Sequence, residues 1–314
     1  MNNEYSIAIH GGAGTILRSL MDESKESAYS QGLEDALNGG LRVLASGGKS
    51  IDAVEIAVRI LEDNPLFNAG RGSVYNAQGG HEMDAAIMCG IDRSAGAVAS
   101  VPNVKNPISL ARAVMEKTNH VLLCHSGALE FAQETGLEIM DEHYFHDEYR
   151  LAQWKSVKDS GDTILDHSPT FPKKFGTVGA VAKDKTGNLA AATSTGGMTN
   201  KKFMRIGDSP LIGSGTFADN RTCAVSCTGN GEDFIRGVVA YDLSCLMEFK
   251  GLSLQQAADQ AVFERLEALK GEGGLIAVDA HGEICMPFNS DGMYRAMADS
   301  TGNRQIGIYK EETS

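Results

Sequence analysis

Read for its hydrophobic and polar positions, the chain opens with an apolar run, Tyr5 to Ile9, that alternates toward a buried strand. It leads into Gly11-Gly12-Ala13-Gly14, which is expected to turn. From Glu23 to Ala45 the period lengthens to that of a helix, with Ala28, Ala36, Leu37, Leu41 and Leu44 on one side and Gly39-Gly40 weakening the pattern. Ser50 is placed to cap a second helix whose stripe is Ala53, Val54, Ala57, Val58 and Leu61. Asp52 suits the dipole of its first turn, and Asn64-Pro65 should end it. His81 to Cys89 and Ala95 to Val101 read as strands, and Pro107 to Lys117 and Ser126 to Glu134 as helices.

Between Asp141 and Lys174 the chain turns polar and loses its period, as a mobile linker would. Two hairpins follow: Thr177 to Lys183 with Leu189 to Ser194 across DKTGN, and Leu275 to Val278 with Ile284 to Phe288 across DAHGE. Between them lie helical stretches at Asp233 to Phe249 and Leu254 to Leu269. Strands and helices in clustered runs predict an α+β chain of stacked layers. A single domain is expected over residues 1–314, because no linker of distinct composition divides it.

A length of 314 residues with 42% hydrophobic content suffices for a large core. The net charge of −13 argues against nucleic acid or an anionic membrane as partner, since both demand a basic surface. The start, MNNEYSIAIH, lacks the basic and apolar regions of a signal peptide, and no run approaches a membrane span, so the expected compartment is the cytoplasm. Cys89, Cys124, Cys223, Cys227, Cys245 and Cys285 are scattered in mostly apolar settings, as free buried thiols would be.

The chemistry centres on Phe175 to Lys201, where Gly176-Thr177 stands at the head of an apolar strand. A threonine hydroxyl is a weak nucleophile that a free α-amine on the same residue can activate, which requires the chain to break before Thr177. Such an amine, whose ordinary pKa is about 7.7–8.0, would be partly neutral at pH 7. Taken alone, Gly-Thr opening a strand is also what a good strand former does.

Around it stand STGGMTNK (194–201), RIGDSPLIGSGTFADN (205–220), SCTGNGEDFIR (226–236), IHGGAG (9–14) and NPLFNAGRGSVYN (64–76). In these blocks the chain resembles the isoaspartyl peptidase/L-asparaginase family, threonine hydrolases of the N-terminal nucleophile class. The resemblance runs from about residue 5 to about residue 309 and weakens between about 140 and 175. It implies an αββα sandwich and a precursor split into 1–176 and 177–314, two such pairs forming an (αβ)2 heterotetramer. Its implied substrates are L-asparagine and β-aspartyl peptides, with no cofactor for the chemistry.

By the same resemblance Thr177 is the nucleophile and Thr195 its hydroxyl neighbour, while Thr228 and Gly229 form the oxyanion site. Gly229 lets the backbone approach without a Cβ, and Asn230 departs from the TGTG of some members. Arg205 and Asp208 match the pair that grips the aspartyl head group, guanidinium on α-carboxylate and carboxylate on α-ammonium. At that spacing they would otherwise read as a surface ion pair. Gly231 and Asn68 match positions lining the pocket. Leu61, Glu62, Asn64, Phe67, Ala69 and Arg71 match a loop that binds a structural sodium ion through backbone carbonyls.

The IHGGAG glycines lack the spacing of a phosphate loop, and His10 reads as a hydrogen-bonded structural histidine rather than a base. His143 and His146, near Asp141, read as solvated surface rather than a metal pair. A glycosylasparaginase shares the threonine and an RIGDSP-like block, but NPLFNAGRGSVYN favours the isoaspartyl branch. A non-enzymatic scaffold on the same fold would have lost a catalytic position, and none of the matched ones is missing.

Overall fold

A computed structural model describes residues 4–159 and 176–310. The chain is α+β, built on an eight-stranded and a four-stranded sheet. The N-terminal segment gives β1 (Ser6–Gly14), α1 (Glu23–Ala45), α2 (Ser50–Asp63), β2 (Met83–Cys89), β3 (Ala95–Val101), α3 (Pro107–Lys117), β4 (Leu122–Cys124), α4 (His125–Glu134) and α5 (Glu148–Lys155). After the undescribed residues come β5 (Val178–Lys183), β6 (Leu189–Thr195), β7 (Thr216–Ala218), β8 (Cys223–Gly229), α6 (Gly231–Gly237), α7 (Val239–Lys250) and α8 (Leu254–Asp259). A π-helical stretch, Gln260–Leu266, continues α8, and β9 (Gly273–Asp279), β10 (Ile284–Cys285), β11 (Gly292–Asp299) and β12 (Arg304–Tyr309) close the chain.

The large sheet runs β12-β11-β1-β5-β6-β2-β3-β4 and the small one β10-β9-β8-β7. One core lies where Leu33, Leu37, Leu44, Val54, Val58 and Leu61 of α1 and α2 meet Ile7, Ile9, Val178 and Ala180 of the large sheet. The opposite face, with Ala8, Val181 and Ala191, packs on Val225, Cys227 and Ile276 of the small sheet, which Leu243, Leu246 and Val262 cover in turn. Gly39 and Gly40 sit inside α1 because the packing leaves no room: a Cβ would lie 2.3 Å from Ile60 Cδ1 and 2.3 Å from Ile7 Cδ1 respectively.

The same turn chemistry closes the hairpins β5–β6, β9–β10 and β11–β12. Asp184, Asp279 and Asp299 each accept, through Oδ1, the N–H groups two and four residues on. The glycine three residues on takes the left-handed backbone that closes the loop, with φ of 86° at Gly187, 92° at Gly282 and 92° at Gly302. The third hairpin escapes the sequence reading, although DSTGN repeats the pattern of DKTGN.

Several expectations are corrected. Gly11 and Gly12 do not turn the chain: β1 continues to Gly14 through a bulge between His10 and Gly12, because β11 pairs with it on both sides of the irregularity. Ser50 is the first residue of α2 rather than its cap; its N–H is satisfied from afar by Asp184 Oδ2 at 3.0 Å. The stretch 233–249 is not one helix, since Val238 (φ 46°) breaks it into α6 and α7. Residues 141–159 are not a featureless linker: they form a 3-10 turn, Glu142–Phe145, and α5, with Phe145, Arg150 and Gln153 buried. The rest of that stretch, 160–174, lies outside the described residues. All six cysteines are free, and Cys124 is exposed.

Candidate active site

Thr177 immediately precedes β5, and its buried side chain faces the end of the adjacent strand β6. Its hydroxyl donates to Thr195 Oγ1 at 3.2 Å, and Thr195 in turn donates to the carbonyl oxygen of Gly176 at 2.9 Å. A hydroxyl has one proton. Thr195 spends its own on the Gly176 carbonyl and is held by a third contact, the Gly197 N–H at 3.0 Å. The Thr177 hydroxyl and the Gly176 carbonyl thus meet at one hydroxyl, that of Thr195. Gly176 has to be glycine, as a Cβ there would stand 2.2 Å from Asn68 Cβ. Asn68 locks this corner, donating to the Gly197 carbonyl at 2.7 Å and accepting from the Val74 N–H at 3.0 Å.

His10 supports Thr177 from the other side. Its Nδ1 lies 3.0 Å from the Thr177 carbonyl oxygen, which can only accept, so Nδ1 carries the proton and Nε2 accepts from Ser226 Oγ at 2.9 Å. Burial drives the His10 pKa down to about 3, against the opposing pull of the Thr177 carbonyl, so the ring is neutral and no base at ordinary pH. With the Ser226 proton committed to His10, the hydroxyl chain has one direction: Thr216 donates to Thr193 at 2.7 Å and Thr193 to Ser226 at 2.7 Å. Gly179 makes this convergence possible, because a Cβ there would fall 2.0 Å from Ser226 Oγ.

The small sheet supplies the oxyanion candidates. His10 pairs with Gly179 in register at the end of β5 that Thr177 precedes. The Ala13 N–H donates to Thr228 Oγ1 at 3.2 Å, which ties Thr228 to that end of β1 and leaves its own proton for an incoming oxygen. Gly229 (φ 157°) admits no side chain, with Glu272 O 2.4 Å from where its Cβ would be.

Arg205 and Asp208 converge on Gly231. A Cβ there would lie 2.7 Å from Arg205 Nη2 and 3.0 Å from Asp208 Oδ1, so only glycine lets a cation and a carboxyl group come this close to the backbone. They are not the surface ion pair their spacing allowed. Arg205 binds Glu232 instead, Nε to Oε1 at 2.8 Å and Nη2 to Oε2 at 2.6 Å. Asp208 is buried, and its Oδ2 has no hydrogen-bond partner. Burial raises its pKa to about 7; Arg205 works against the shift, and Glu232 and Asp84 with it. Asp84, opposite Thr195 across β2 and β6, is a further buried acid, raised by burial and lowered by Lys201 and the Ser100 N–H. Sequence reasoning missed Glu232, whose signal was its place directly after Gly231. It also missed Asp84 and the hydroxyl chain, which only the strand pairing assembles.

The loop after α2 fits a cation of the expected kind. A Cβ on Gly70 would lie 2.6 Å from Glu62 O, and one on Gly72 would lie 2.1 Å from Phe67 O, so carbonyl oxygens turn into the space that these glycines leave. Leu61, Asn64, Phe67 and Ala69 each accept a backbone N–H, and a carbonyl has a second lone pair to offer. The Glu62 side chain is engaged elsewhere, accepting from Ser194 Oγ at 2.6 Å and the Ile108 N–H at 3.0 Å. Arg71 turns its guanidinium to the Tyr144 ring, consistent with only its carbonyl serving the loop. His146 contacts Glu148 and Tyr75, and no group of three potential metal-ligating side chains is found among the described residues. Among those residues, too, no helix is long and apolar enough to cross a membrane.

Comparison with known proteins agrees over nearly the whole length. A family model described as asparaginase matches residues 3–308. The chain is 50% identical to an isoaspartyl peptidase of Salmonella typhimurium over 312 residues, covering 98% of this chain and 100% of the relative. An isoaspartyl peptidase of Escherichia coli is 48% identical over 309 residues (98% and 96% covered), and an isoaspartyl peptidase/L-asparaginase of Xenopus laevis is 42% identical over 310 residues (98% and 96%).

Proposed function

Because this chain belongs to the asparaginase family, we propose that it is a self-cleaving threonine amidohydrolase. It releases L-aspartate from L-asparagine and from β-aspartyl dipeptides, in the cytoplasm. In this reading the two sheets and their helices are the αββα sandwich of N-terminal-nucleophile hydrolases. The precursor divides into residues 1–176 and 177–314, and two such pairs assemble as an (αβ)2 heterotetramer.

The observation that carries the reading is the hydrogen-bond path from the Thr177 hydroxyl through Thr195 to the Gly176 carbonyl. Thr177 Oγ attacks the Gly176 carbonyl carbon, whose oxygen Thr195 polarises. The carbon–nitrogen bond breaks, the nitrogen takes the proton that the Thr177 hydroxyl gives up, and the acyl group passes to oxygen as an ester. Water opens the ester, leaving a carboxylate on Gly176 and a free amine on Thr177.

That amine then serves as base for its own hydroxyl. The hydroxyl attacks the substrate's side-chain amide, and the developing oxyanion is met by the Thr228 hydroxyl and the Gly229 N–H. Ammonia or a peptide amine leaves with a proton, and water releases aspartate from the acyl-enzyme. Arg205 takes the α-carboxylate and Asp208 the α-ammonium. A sodium ion held by the carbonyls of Leu61, Glu62, Asn64, Phe67, Ala69 and Arg71 would supply no chemistry; those residues fix the loop that bears Asn68.

Denaturing electrophoresis tests the first half: purified protein should give two fragments in place of a 33.4 kDa chain, and Thr177→Ala one uncut, inactive chain. The second half is tested on isomers. A β-linked Asp-Leu keeps both head-group charges free, whereas the α-linked isomer has consumed its α-carboxylate, so only the former should be hydrolysed. Equal initial rates on the two isomers would refute the pocket assignment.

A further inference from the structure

The turn that leads into Arg205 carries two residues the mechanism does not use. Phe203 is 94% exposed and Met204 48% exposed, adjacent large apolar side chains standing in solvent. Both also hold a left-handed backbone, with φ of 58° and 55°, at a cost that glycine avoids. Such strain persists only where the surroundings impose it, and here they do. The Asn200 N–H donates to Tyr75 O at 2.8 Å and the Ala77 N–H to Lys201 O at 2.9 Å, while the buried Lys201 ammonium donates to Glu82 O at 2.8 Å. The Arg205 N–H closes the turn on Lys202 O at 3.0 Å. Ser100, whose hydroxyl donates to Met204 O at 3.4 Å, gives its N–H to Asp84 Oδ1 at 2.7 Å, and Asp84 stands opposite Thr195 in the sheet. The turn is therefore fixed between the neighbour of the nucleophile and the head-group cation.

We propose that Phe203 and Met204 are specificity-determining residues: they receive the side chain of the second residue of a β-aspartyl dipeptide, the one that leaves, and favour a large apolar residue there. The assignment rests on the function proposed above and concerns the part of the substrate that Arg205 and Asp208 do not hold. Reach selects this occupant. A β-linkage adds one carbon to a peptide step of about 3.8 Å, so the second α-carbon lies roughly 5 Å from the first. Met204 and Phe203 are one and two residues from Arg205 along the chain, within range of a leucine or phenylalanine side chain borne on that second α-carbon. Charge points the same way. In a chain of net charge −13, the run from Thr195 to Gly207 contains no Asp or Glu but includes Lys201, Lys202 and Arg205. A β-aspartyl dipeptide carries one more carboxylate than L-asparagine, at the end of its second residue, and an acid-free approach suits it.

The test separates the side chain of the leaving residue from its linkage. Values of kcat/KM are measured on β-Asp-Leu, β-Asp-Gly and L-asparagine for the wild type and for Phe203→Gly, Met204→Gly and Phe203→Leu, each confirmed as cleaved by electrophoresis. Melting is followed by circular dichroism and mass by light scattering. The wild type should prefer β-Asp-Leu to β-Asp-Gly, and each glycine variant should lower that preference by about 4- to 15-fold, the worth of one or two buried methylene groups. Phe203→Leu, which keeps an apolar side chain, should lower it less. Glycine also relieves the left-handed backbone, so the glycine variants should melt no lower than wild type; side chains present only for the fold would give the opposite sign. No preference in the wild type, a preference unmoved in the glycine variants, or a fall of several degrees in their melting temperature would overturn the proposal. So would activity on L-asparagine without activity on either dipeptide, or a glycine variant of smaller mass than wild type, which assigns the patch to a second copy of this chain. An enzyme inactive on all three substrates defeats the functional reading and this inference with it, whereas an active enzyme with an unmoved preference defeats the inference alone.

Discussion

Thr195→Val keeps a branched side chain and deletes one oxygen, and the structure fixes what that oxygen does. It receives the Thr177 hydroxyl at 3.2 Å and the Gly197 N–H at 3.0 Å and donates to the Gly176 carbonyl at 2.9 Å. Orphaning a buried neutral group costs about 1–3 kcal/mol. Gly176 and Gly197 are only half-buried, so water compensates in part and the stability loss should stay near the low end of that range. In a domain of this size that corresponds to a few degrees in melting temperature. The kinetic effect is larger. Removing a donor from the carbonyl under attack costs about 10²- to 10³-fold in rate, or ~3–4 kcal/mol of barrier. The variant should therefore be folded, slightly less stable, and slow to cut itself. Self-cleavage is followed by denaturing electrophoresis, with melting by circular dichroism alongside, and Thr195→Ser as the control that keeps the oxygen. Wild-type cleavage by a folded Thr195→Val chain would refute the relay, as would equal impairment of Thr195→Ser.

Other consequences concern charge. Asp208 has its pKa raised to about 7, chiefly by burial, so it is protonated and useless to an α-ammonium below that pH. An α-amine freed on Thr177 by the proposed cleavage would have an ordinary pKa of about 7.7–8.0, just above it. The acidic limb of kcat/KM on L-asparagine should steepen from one proton toward two as pH falls below about 7, and Asp208→Asn should retain only the amine's limb at reduced activity; an unchanged slope contradicts the assignment. Asp184 behaves oppositely: burial alone would raise its pKa, but the hydrogen bonds from Thr186, Ser50 and Asn188 carry it below the ordinary value. Its stabilisation is thus present above the unfolded pKa of about 3.9 and lost as pH falls through the folded one. Asp184→Ala, which uncaps α2 and its own hairpin, should lower stability by about 1–2 kcal/mol at pH 7 and by less near pH 3, measured by urea denaturation at the two pH values.

Local rules made much of this legible. α1 runs from Glu23 to Ala45 as the apolar period predicts, and α3 begins at Pro107 and ends at Lys117. The β5–β6 hairpin follows from DKTGN. What escaped was non-local. Nothing near Ser50 in sequence announces that Asp184 will cap its helix, and an apolar β1 that continues past two glycines depends on β11, nearly three hundred residues away along the chain. Within the site, Thr177, Thr195, Arg205 and Asp208 stood in motifs that family resemblance picked out. The Thr216–Thr193–Ser226–His10 chain acquires meaning only from strands that meet across two sheets, and Glu232 only from the fold that brings α6 to Arg205.

The order of the large sheet has one more consequence. β1 lies between β11 and β5, and β6 lies beside β2, so strands from before and after Gly176 are interdigitated rather than set side by side. A break at that bond cannot release either piece, because each is stitched to the other by backbone ladders on more than one seam. Nor would the pieces be sound if made apart: the later one would carry the bare edges of β5 and β11 where β1 belongs, open templates for pairing with any passing chain. Scission is thus safe only once the sheet is complete. With cleavage before Thr177, the strand order would make the uncut polypeptide the assembly jig for a product that no longer needs it.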